Sequence, residues 1–360
     1  MKRIIFTVTN DLAYDQRMQR ICTSLTVSGY EVELVGRKKK QSIPLPEMPF
    51  KQKRFSLLFQ AGVFFYAEIN IRLFFYLLFC RCHYICAVDL DTILPCLLAG
   101  KIRNKKLIYD AHEYFTEVPE VVNRPATKKM WQMIANFAIP KMDLCYTVGP
   151  SLAEIFSGLY KKLFHVIRNV PLFTSESVLL QKDMFILYQG ALNVGRGLEQ
   201  LIYAMQQLPI KLVIAGEGNL SQSLREQARK LNLGDKVEFL GYVKPEDLKS
   251  LTQKAFIGYN LLENAGLSYY YSLSNKFFDY IHAGVPGLSP DFPEYKAIND
   301  PHEVAVLTNL TTENCVLFIN RLLESPALYA KLQQNCIVAR QVYNWQKEEQ
   351  ELIKLYDALG

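Results

Sequence analysis

The sequence predicts an α/β protein made of two Rossmann-like, doubly wound domains that face each other across a cleft. Short β-rich runs alternate with helical patterns, and this alternation starts again near the middle of the 360-residue chain. Strands that alternate with helices form parallel sheets covered on both faces. The chain length also agrees with two domains of roughly 150 residues each.

The predicted strands of the first domain each end in a polar or glycine-bearing turn. Ligands bind beyond the carboxyl ends of the strands in open α/β sheets, so the side chains after these strands are the first site candidates. In order, the runs are RIIFTVT before Asn10 and Asp11, YEVELVG before a basic run, YICAV before Asp89, KLIYD before His112 and Glu113, LCYTV before Gly149, and HVIRNV before Pro171.

A second set of strands begins after residue 172. One helix between them, LEQLIYAMQQL, has a stripe of apolar residues at the helical period. We therefore predict domains at residues 1–172 and 173–340, with a linker around NVPLFTSESVLLQKD. The predicted strands are MFILYQG, IKLVIAGEG, KVEFLGYV, AFIGYNLL and VPGLSP.

Charge is distributed unevenly between the two halves. Residues 1–172 contain 24 Lys and Arg against 14 Asp and Glu, whereas the remainder contains 17 against 21. A basic half predicts an anionic partner. No zinc finger or aromatic-basic RNA signature is present, which argues against nucleic acid. An anionic phospholipid surface and a phosphate-bearing substrate both remain open.

The stretch at residues 55–79, FSLLFQAGVFFYAEINIRLFFYLLF, is strongly apolar. Glu68 and Arg72 interrupt it at i,i+4 spacing, and a spanning helix needs about 20 residues that are largely free of charge. Three interpretations are open: a membrane span, contact with a membrane surface, and a helix packed in the core.

The cysteines indicate neither a disulfide framework nor a metal site. Cys80, Cys82, His83 and Cys86 cluster, but their spacing is not that of a zinc site. The segment MKRIIFTVTNDLAYD lacks the apolar core of a signal peptide, so we expect a cytoplasmic protein.

Two glycine-bearing turns in the second half are candidates for phosphate binding. In LYQGALNVGRGLEQL, Gly190 follows a strand, and Arg196 and Gly197 precede a helix; glycine permits close approach of a ligand, and arginine suits phosphate. In VIAGEGN, Gly216 and Glu217 follow the next strand. The alternatives are an ordinary turn with a solvated arginine, and a loop that needs only positive φ.

Two further segments carry ionisable side chains at predicted strand or helix ends. In YDAHEYF, His112 is a candidate general base or hydrogen-bond donor to a sugar hydroxyl, or a structural histidine. In SNKFFDYIHAGVPG, Asn275 begins a helix on which Lys276 and Asp279 share a face. Asp279 can bind adjacent hydroxyls of a ribose, and we expect it to do this rather than to support the core. The alternative is a surface Lys–Asp pair.

Together these segments resemble a known family. YQGALNVGRGLEQLIYAM, VIAGEGNLSQSLREQA, VEFLGYVKPEDL and SNKFFDYIHAGVPGLSPDFPEY are similar to the second domain of bacterial GT-B glycosyltransferases of the retaining group called family 4. TNDLAYDQRMQRICTSLTVSGYEVELVGR and VDLDTILPCLLAGKIRNKKLIYDAHEYFTEVPE resemble its first domain. NWQKEEQELIKLYDAL resembles its last helix, which implies that residues 341–360 pack back on the first domain.

The resemblance implies roles for particular residues. Asp279 would bind the nucleotide ribose, and Glu263 matches the first acid of the family's acidic pair, although 16 residues separate the two instead of 8. Ala191 replaces the arginine of the family's diphosphate loop, and Arg196 replaces its lysine. The implied catalytic residues are His112, Arg196 and Lys276; the donor-binding residues are Gly190, Gly197, Gly216, Glu217, Glu263, Asn275 and Asp279; the acceptor-side residues are Asn10, Asp11, Asp15, Arg17 and Glu113.

The resemblance also implies a reaction: transfer of a sugar from a nucleotide-sugar donor to a polysaccharide or lipid-linked acceptor, with retention, in cell-surface glycan assembly. We expect no cofactor and no metal, and a location in the cytoplasm or on the inner face of the cytoplasmic membrane. Two alternatives are a nucleotide-sugar epimerase of the same architecture and a degenerate sugar-nucleotide-binding subunit, the latter because of Ala191 and the long loop between residues 263 and 279.

Overall fold

The chain divides into two compact units in the computed structural model, which describes residues 1–176 and 178–360. The first unit consists of Met1–Asn169 and Lys347–Gly360, and the second of Val170–Gln346. The predicted linker contains Ser177, which lies outside the described residues.

The first unit contains a parallel sheet of seven described strands in the order β3-β2-β1-β4-β5-β6-β7. Its central strands are buried on both faces, as is typical of parallel sheets. The strands are β1 (Arg3–Thr7), β2 (Glu31–Lys38), β3 (Lys51–Ser56), β4 (Tyr84–Val88), β5 (Lys106–Ala111), β6 (Leu144–Thr147) and β7 (Phe164–Val166).

The edge strand β3 was not predicted, because its sequence KQKRFS has almost no apolar residues. Charged side chains are common on edge strands, where they discourage pairing with another chain. Here they make local contacts: Lys51 pairs with Glu31 at 2.8 Å, Arg54 pairs with Asp11 at 2.9 Å, and Lys53 lies over the Tyr76 ring.

Helices cover both faces of this sheet. They are α1 (Gln16–Val27), α2 (Gly62–Phe79), α3 (Ile93–Ile102), α4 (Pro119–Val122), α5 (Pro125–Ala138), α6 (Pro150–Tyr160) and the C-terminal helix. Helix α2 buries one stripe at a spacing of four residues, namely Phe65, Ile69, Leu73 and Leu77.

Helix α2 is the apolar stretch whose role the sequence left open. By length and composition it could cross a bilayer, with a mean hydropathy of 1.4 and 22% of its residues buried. The predicted Glu68–Arg72 ion pair is present at 2.8 Å, and the Glu68 carboxylate also accepts the backbone N–H groups of Leu58 and Phe59. The helix therefore packs on the unit along one stripe and leaves apolar side chains exposed elsewhere.

The second unit contains a parallel sheet of six described strands in the order β10-β9-β8-β11-β12-β13. The strands are β8 (Asp183–Gln189), β9 (Lys211–Ala215), β10 (Val237–Gly241), β11 (Ala255–Tyr259), β12 (Gly287–Pro290) and β13 (Ala305–Thr308). The helices are α7 (Leu198–Ala204), α8 (Ser221–Lys230), α9 (Pro245–Lys254), α10 (Leu267–Tyr270), α11 (Asn275–Ala283), α12 (Pro293–His302), α13 (Thr312–Glu324) and α14 (Pro326–Ala339). The C-terminal helix of the chain is α15 (Trp345–Asp357).

The predicted apolar stripe of the second unit is buried. Leu198, Leu201, Ile202, Met205 and Leu208 all belong to its main core cluster and have no exposed surface. The stripe continues past the end of α7, so the helical period read from the sequence identified the core face correctly.

Helix α15 begins in the second unit and continues in the first, because the division falls between Gln346 and Lys347. In the first unit its buried Tyr356 lies 6.3 Å from the Phe6 ring, and the Tyr30 hydroxyl donates to Asp357 at 2.7 Å. This C-terminal segment is therefore part of the first unit's core.

Candidate active site

The central strand β8 of the second unit lies at a topological switch point. The chain continues from β8 to β9 on one side, and returns to β11 on the other. Loops that leave such strands diverge and open a crevice at their carboxyl ends, where ligands bind in open α/β sheets. The loops after β8, β9 and β11 carry Gly190, Gly216 and Glu263, respectively.

Gly190 and Gly216 bring two of these loops into contact. Both have positive φ, 125° and 153°, and the Gly190 N–H donates to the Ala215 carbonyl at 2.9 Å. A Cβ on Gly216 would lie 1.8 Å from the Gly190 carbonyl oxygen. No other residue fits at position 216, and the absence of side chains leaves the backbone of this crevice open to a ligand.

A buried lysine lies beside this glycine turn. Lys276 is only 8% exposed, its Nζ lies 4.0 Å from the centroid of the Tyr188 ring, and the same atom would lie 4.0 Å from a Cβ on Gly190. Burial and then the neighbouring Arg196 hold the pKa of Lys276 well below its ordinary value, while Asp279 acts in the opposite direction. Arg196 itself lies over the Tyr269 ring.

A buried lysine whose charged form is disfavoured by burial and by a neighbouring arginine indicates a site for an anion. A bound diphosphate would favour the charged form of Lys276. The alternative of a surface Lys276–Asp279 pair is wrong, because Lys276 is buried.

Asp279 lies on α11 and is half-buried. Its Oδ2 accepts the Gln189 Nε2–H at 2.8 Å, and Gln189 Oε1 accepts the Thr252 hydroxyl at 2.7 Å. This carboxylate therefore has an internal partner, which corrects the expectation that it does not support the core. The ribose contact stays a prediction.

The other predicted donor-binding residues occupy different parts of the same edge. The Glu263 N–H donates to the Gly195 carbonyl at 3.0 Å, which joins the loop after β11 to the loop of Arg196. Asn275 is exposed at the first position of α11. Glu217 is exposed and pairs with Arg225 at 2.8 Å.

Gly197 has a packing role. Its φ is 66°, and a Cβ there would lie 2.8 Å from the Leu310 side chain and 2.9 Å from the Tyr259 hydroxyl. That hydroxyl donates to the Gly197 carbonyl at 2.7 Å. Gly197 thus fixes the loop that carries Arg196.

In the first unit, His112 lies between two carboxylates at the carboxyl ends of β4 and β5. Its Nε2 is 3.1 Å from Asp110 Oδ2, its Nδ1 is 3.6 Å from Asp89 Oδ2, and its backbone N–H donates to Asp89 Oδ1 at 2.8 Å. Burial lowers the pKa of His112, but Asp110 and Asp89 outweigh it and raise the value to about 9. The imidazole is therefore a cation at neutral pH, and its Nε2–H donates to Asp110.

The buried Arg17 also contacts this cluster, through Asp110. It is 4% exposed and donates to Asp110 Oδ1 and to the Ile167 carbonyl, each at 2.8 Å. A chain of charge-assisted hydrogen bonds therefore joins Arg17 to Asp110 and Asp110 to His112. Any effect of Arg17 on an acceptor must pass through Asp110, because its side chain is not on the surface.

The other acceptor-side candidates are held by local bonds or lie exposed. Asn10 donates to Asp15 at 2.7 Å, and Asp15 caps α1 by accepting the Met18 N–H at 3.0 Å. Asp11 is buried against Arg54, and Glu113 is exposed. Their contact with an acceptor stays a prediction.

Two further carboxylates, Asp89 and Asp91, follow β4 at this edge. Asp89 has a φ of 56°, unusual for a side chain other than glycine, and Asp91 accepts the Thr9 hydroxyl at 2.5 Å. Burial, reinforced by Asp89, raises the pKa of Asp91 to about 7. Within residues 1–176 and 178–360, no group of three or more His, Cys, Asp or Glu has an arrangement that could hold a metal ion.

Comparison with known proteins places the second half of the chain. Residues 173–337 match the family model described as glycosyl transferases group 1. The matched segment lies within the second unit. This segment carries the glycine turns, Arg196, Lys276 and Asp279 described above.

Three curated glycosyltransferases are similar to parts of the chain. A Campylobacter jejuni N-acetylgalactosaminyltransferase that acts on a diphospho-undecaprenol glycan is 28% identical over 46% of this chain and 45% of its own length. A second C. jejuni enzyme, an N-acetylgalactosamine-N,N'-diacetylbacillosaminyl-diphospho-undecaprenol 4-alpha-N-acetylgalactosaminyltransferase, is 36% identical over 27% and 26%. An uncharacterized glycosyltransferase of Methanocaldococcus jannaschii is 38% identical over 20% of each chain. The matches thus span less than half the length of these relatives.

Solved structures match the chain along its length and identify the fold. Sucrose-phosphate synthase from Thermosynechococcus elongatus has a TM-score of 0.80 at 18% identity, covering 100% of this chain and 99% of that one. WaaG, a glycosyltransferase of lipopolysaccharide biosynthesis, has a TM-score of 0.71 at 13% identity, covering 97% and 98%. Two parallel-sheet α/β units of this kind make the GT-B fold, so the predicted fold class is confirmed.

Proposed function

We propose that this protein is a metal-independent glycosyltransferase that moves a hexosyl-type sugar from a nucleotide-sugar donor to a polysaccharide or lipid-linked acceptor, with retention at the anomeric carbon. The observation that carries the proposal is the crevice of the second unit, where the buried Lys276 lies beside the glycine turn at Gly190 and Arg196 is close enough to Lys276 to lower its pKa. The match of this segment to glycosyl transferases group 1 supports it.

The proposed chemistry follows from where charge develops. When the bond from the sugar to the diphosphate breaks, negative charge builds up on the leaving diphosphate, and preorganised positive groups stabilise it. Lys276 and Arg196 would do this, and Asp279 would hold the ribose hydroxyls. His112, as a cationic hydrogen-bond donor at the edge of the first sheet, would contact the donor sugar.

The names of several relatives support the choice of donor and acceptor. The two C. jejuni enzymes are named for diphospho-undecaprenol glycans, and a structure of Anabaena HepE with UDP-glucose has the same fold at a TM-score of 0.75. We accordingly propose a UDP-sugar donor, a lipid-linked glycan acceptor, and a cytoplasmic protein that binds peripherally to the inner face of the membrane.

The test is an incubation with UDP-, GDP- and ADP-sugars and a diphospho-prenyl glycan acceptor, with products read by mass spectrometry. We expect one nucleotide sugar to give an acceptor that is heavier by one sugar. Lys276→Met should abolish transfer, whereas Lys249→Met, at an exposed ion pair of the same unit, should not. Transfer by Lys276→Met at the normal rate would refute the proposed phosphate site.

The same incubation separates the two alternatives. A Listeria monocytogenes structure named as a UDP-N-acetylglucosamine 2-epimerase has a TM-score of 0.65 at 13% identity, so fold alone does not distinguish the two reactions. Interconversion of the free donor sugar without acceptor would indicate an epimerase. Donor binding with neither reaction would indicate the non-catalytic subunit that Ala191 suggests.

A further inference from the structure

A groove of about 790 Å³ lies between helices α2, α3 and α5 of the first unit and is open to solvent. Its volume lies within the range of about 300–1,000 Å³ that is typical of small-molecule pockets, which are also mainly apolar. The lining includes Val63, Ile71, Phe75, Leu98 and Met130.

The rim of the groove exposes large apolar side chains to water. The exposed fractions are 80% for Val63, 57% for Ile71, 54% for Phe75 and 49% for Leu98. Contiguous apolar surface of this kind marks a binding site in a stable protein, because burying it against a ligand is favourable.

The floor of the groove is already built. Trp131 is 8% exposed, and its ring lies 5.8 Å from that of Tyr66 and 5.0 Å from that of Phe115, each in an edge-to-face arrangement. A ligand would therefore enter a formed slot rather than open a packed core.

The inner end of the groove reaches the candidate site. Leu90 and Asp91 line it, and both follow β4 directly after Asp89, the partner of His112. The Asn70 side chain, from α2, donates to the Asp91 carbonyl at 3.0 Å and fixes this end. A molecule lying in the groove would therefore have one part close to the strand ends that carry His112.

One cation lies among the lining residues. Arg124 is exposed at the N-cap of α5, whereas Lys128 on the same helix is paired with Glu117 at 2.7 Å. The remaining charged side chain of the lining, Asp91, is buried. An apolar slot with an exposed cation at a helix N-terminus complements a hydrocarbon chain that carries one anionic group.

We propose that this groove binds the polyprenyl chain of a diphosphate-linked acceptor, with Arg124 contacting the diphosphate. The inference rests on the proposed transferase function and specifies how the acceptor is held. A concave slot continuous with the strand ends favours one lipid chain over a flat bilayer surface, which would contact protruding residues such as Phe79, 83% exposed on the same helix.

The test measures binding of soluble prenyl diphosphates to the full chain, below their micelle concentrations, by calorimetry and by quenching of tryptophan fluorescence. We expect geranylgeranyl diphosphate to bind at least tenfold more tightly than geranyl diphosphate, because each buried CH₂ adds to affinity. Leu98→Asp should remove this chain-length difference. Phe79→Asp, the matched control outside the groove, should keep it.

Arg124→Ala should weaken both prenyl diphosphates by a similar factor and leave their ratio unchanged. Equal affinity for the two chain lengths in the wild type would overturn the inference, as would equal losses in Leu98→Asp and Phe79→Asp at unchanged melting temperature. The latter result would indicate a bilayer-facing surface instead.

These measurements do not depend on catalysis. Chain-length-dependent binding without sugar transfer from any nucleotide sugar would refute the proposed function and retain the lipid groove. Transfer with the same KM for prenyl-linked and lipid-free glycans, unaffected by Leu98→Asp, would retain the transferase and refute the groove.

Discussion

Two substitutions of Asp279 separate its structural contact from its proposed contact with the nucleotide. Asp279→Ala leaves the Gln189 amide N–H without its acceptor, and Gln189 is only 4% exposed. An unpaired buried donor costs about 1–3 kcal/mol. Asp279→Asn keeps an oxygen for Gln189 and removes only the negative charge, so its stability should stay close to that of the wild type.

Both variants should lose nucleotide affinity to a similar extent. A hydrogen bond to a charged group contributes about 1.5–3 kcal/mol, which corresponds to a Kd that rises roughly 10- to 150-fold. Only Asp279→Ala should also melt earlier, by roughly 2–12 °C for a unit of this size.

The assay is calorimetry with UDP, GDP and ADP, together with thermal unfolding of each variant. Asp235→Asn, at an exposed position of the same unit, controls for the loss of one negative charge. If Asp279→Asn binds nucleotide as the wild type does while Asp279→Ala melts earlier, Asp279 is purely structural and the ribose assignment is wrong.

Four further predictions concern the buried cations, the metal and the membrane. Burial lowers the pKa of Lys276 from 10.5, so the unfolded chain binds the lysine proton more tightly than the folded chain does. The unfolding free energy should therefore rise with pH below 10.5, and Lys276→Met should flatten this rise. An unchanged pH slope in the variant would contradict the prediction. The pKa of His112 is raised from 6.5 to about 9, so its contribution to the unfolding free energy is complete below pH 6.5 and is lost as the pH rises through 9. His112→Gln should remove this decline in unfolding free energy, which is on the order of 3 kcal/mol, when thermal unfolding is measured across this pH range. A decline in the variant as large as that of the wild type would refute the prediction. Sugar transfer should persist in excess EDTA, and a complete, magnesium-restorable loss would refute metal independence. Replacing exposed Lys38, Lys39 and Lys40 with Glu should reduce sedimentation with anionic liposomes at low salt, and equal recovery with neutral vesicles would refute membrane binding.

Hydrophobic pattern was sufficient to predict most of the fold. Runs such as RIIFTVT and MFILYQG form central strands, whose burial on both faces requires continuous apolar sequence. The same rule explains the misses. β3 is polar because it lies at an edge, and β13, which was also missed, is the edge strand of the second sheet and is buried only at its two ends.

The site was predicted in part, and the limit is long-range contact. The position of Asp279 on a helix after Ser274 follows from local sequence, but its bond to Gln189 joins residues 90 apart in the chain. Likewise, two carboxylates around His112 come from different strands, and the groove exists only because three helices leave a gap. Periodicity indicates which face of a helix is apolar, but not which part of that face a neighbour leaves uncovered.

The division of α15 between the two units has a consequence for biosynthesis. The first unit needs Tyr356 against Phe6, but 177 residues of the second unit separate its two segments. At a synthesis rate of about 5–20 residues/s, roughly 9–35 s pass before the ribosome delivers the segment after Gln346. During this time the apolar surface that α15 covers in the first unit stays exposed. The second unit is continuous in sequence, so it can fold as soon as it leaves the ribosome. A chaperone that binds the nascent chain should protect residues 1–169 during this interval and dissociate once α15 packs.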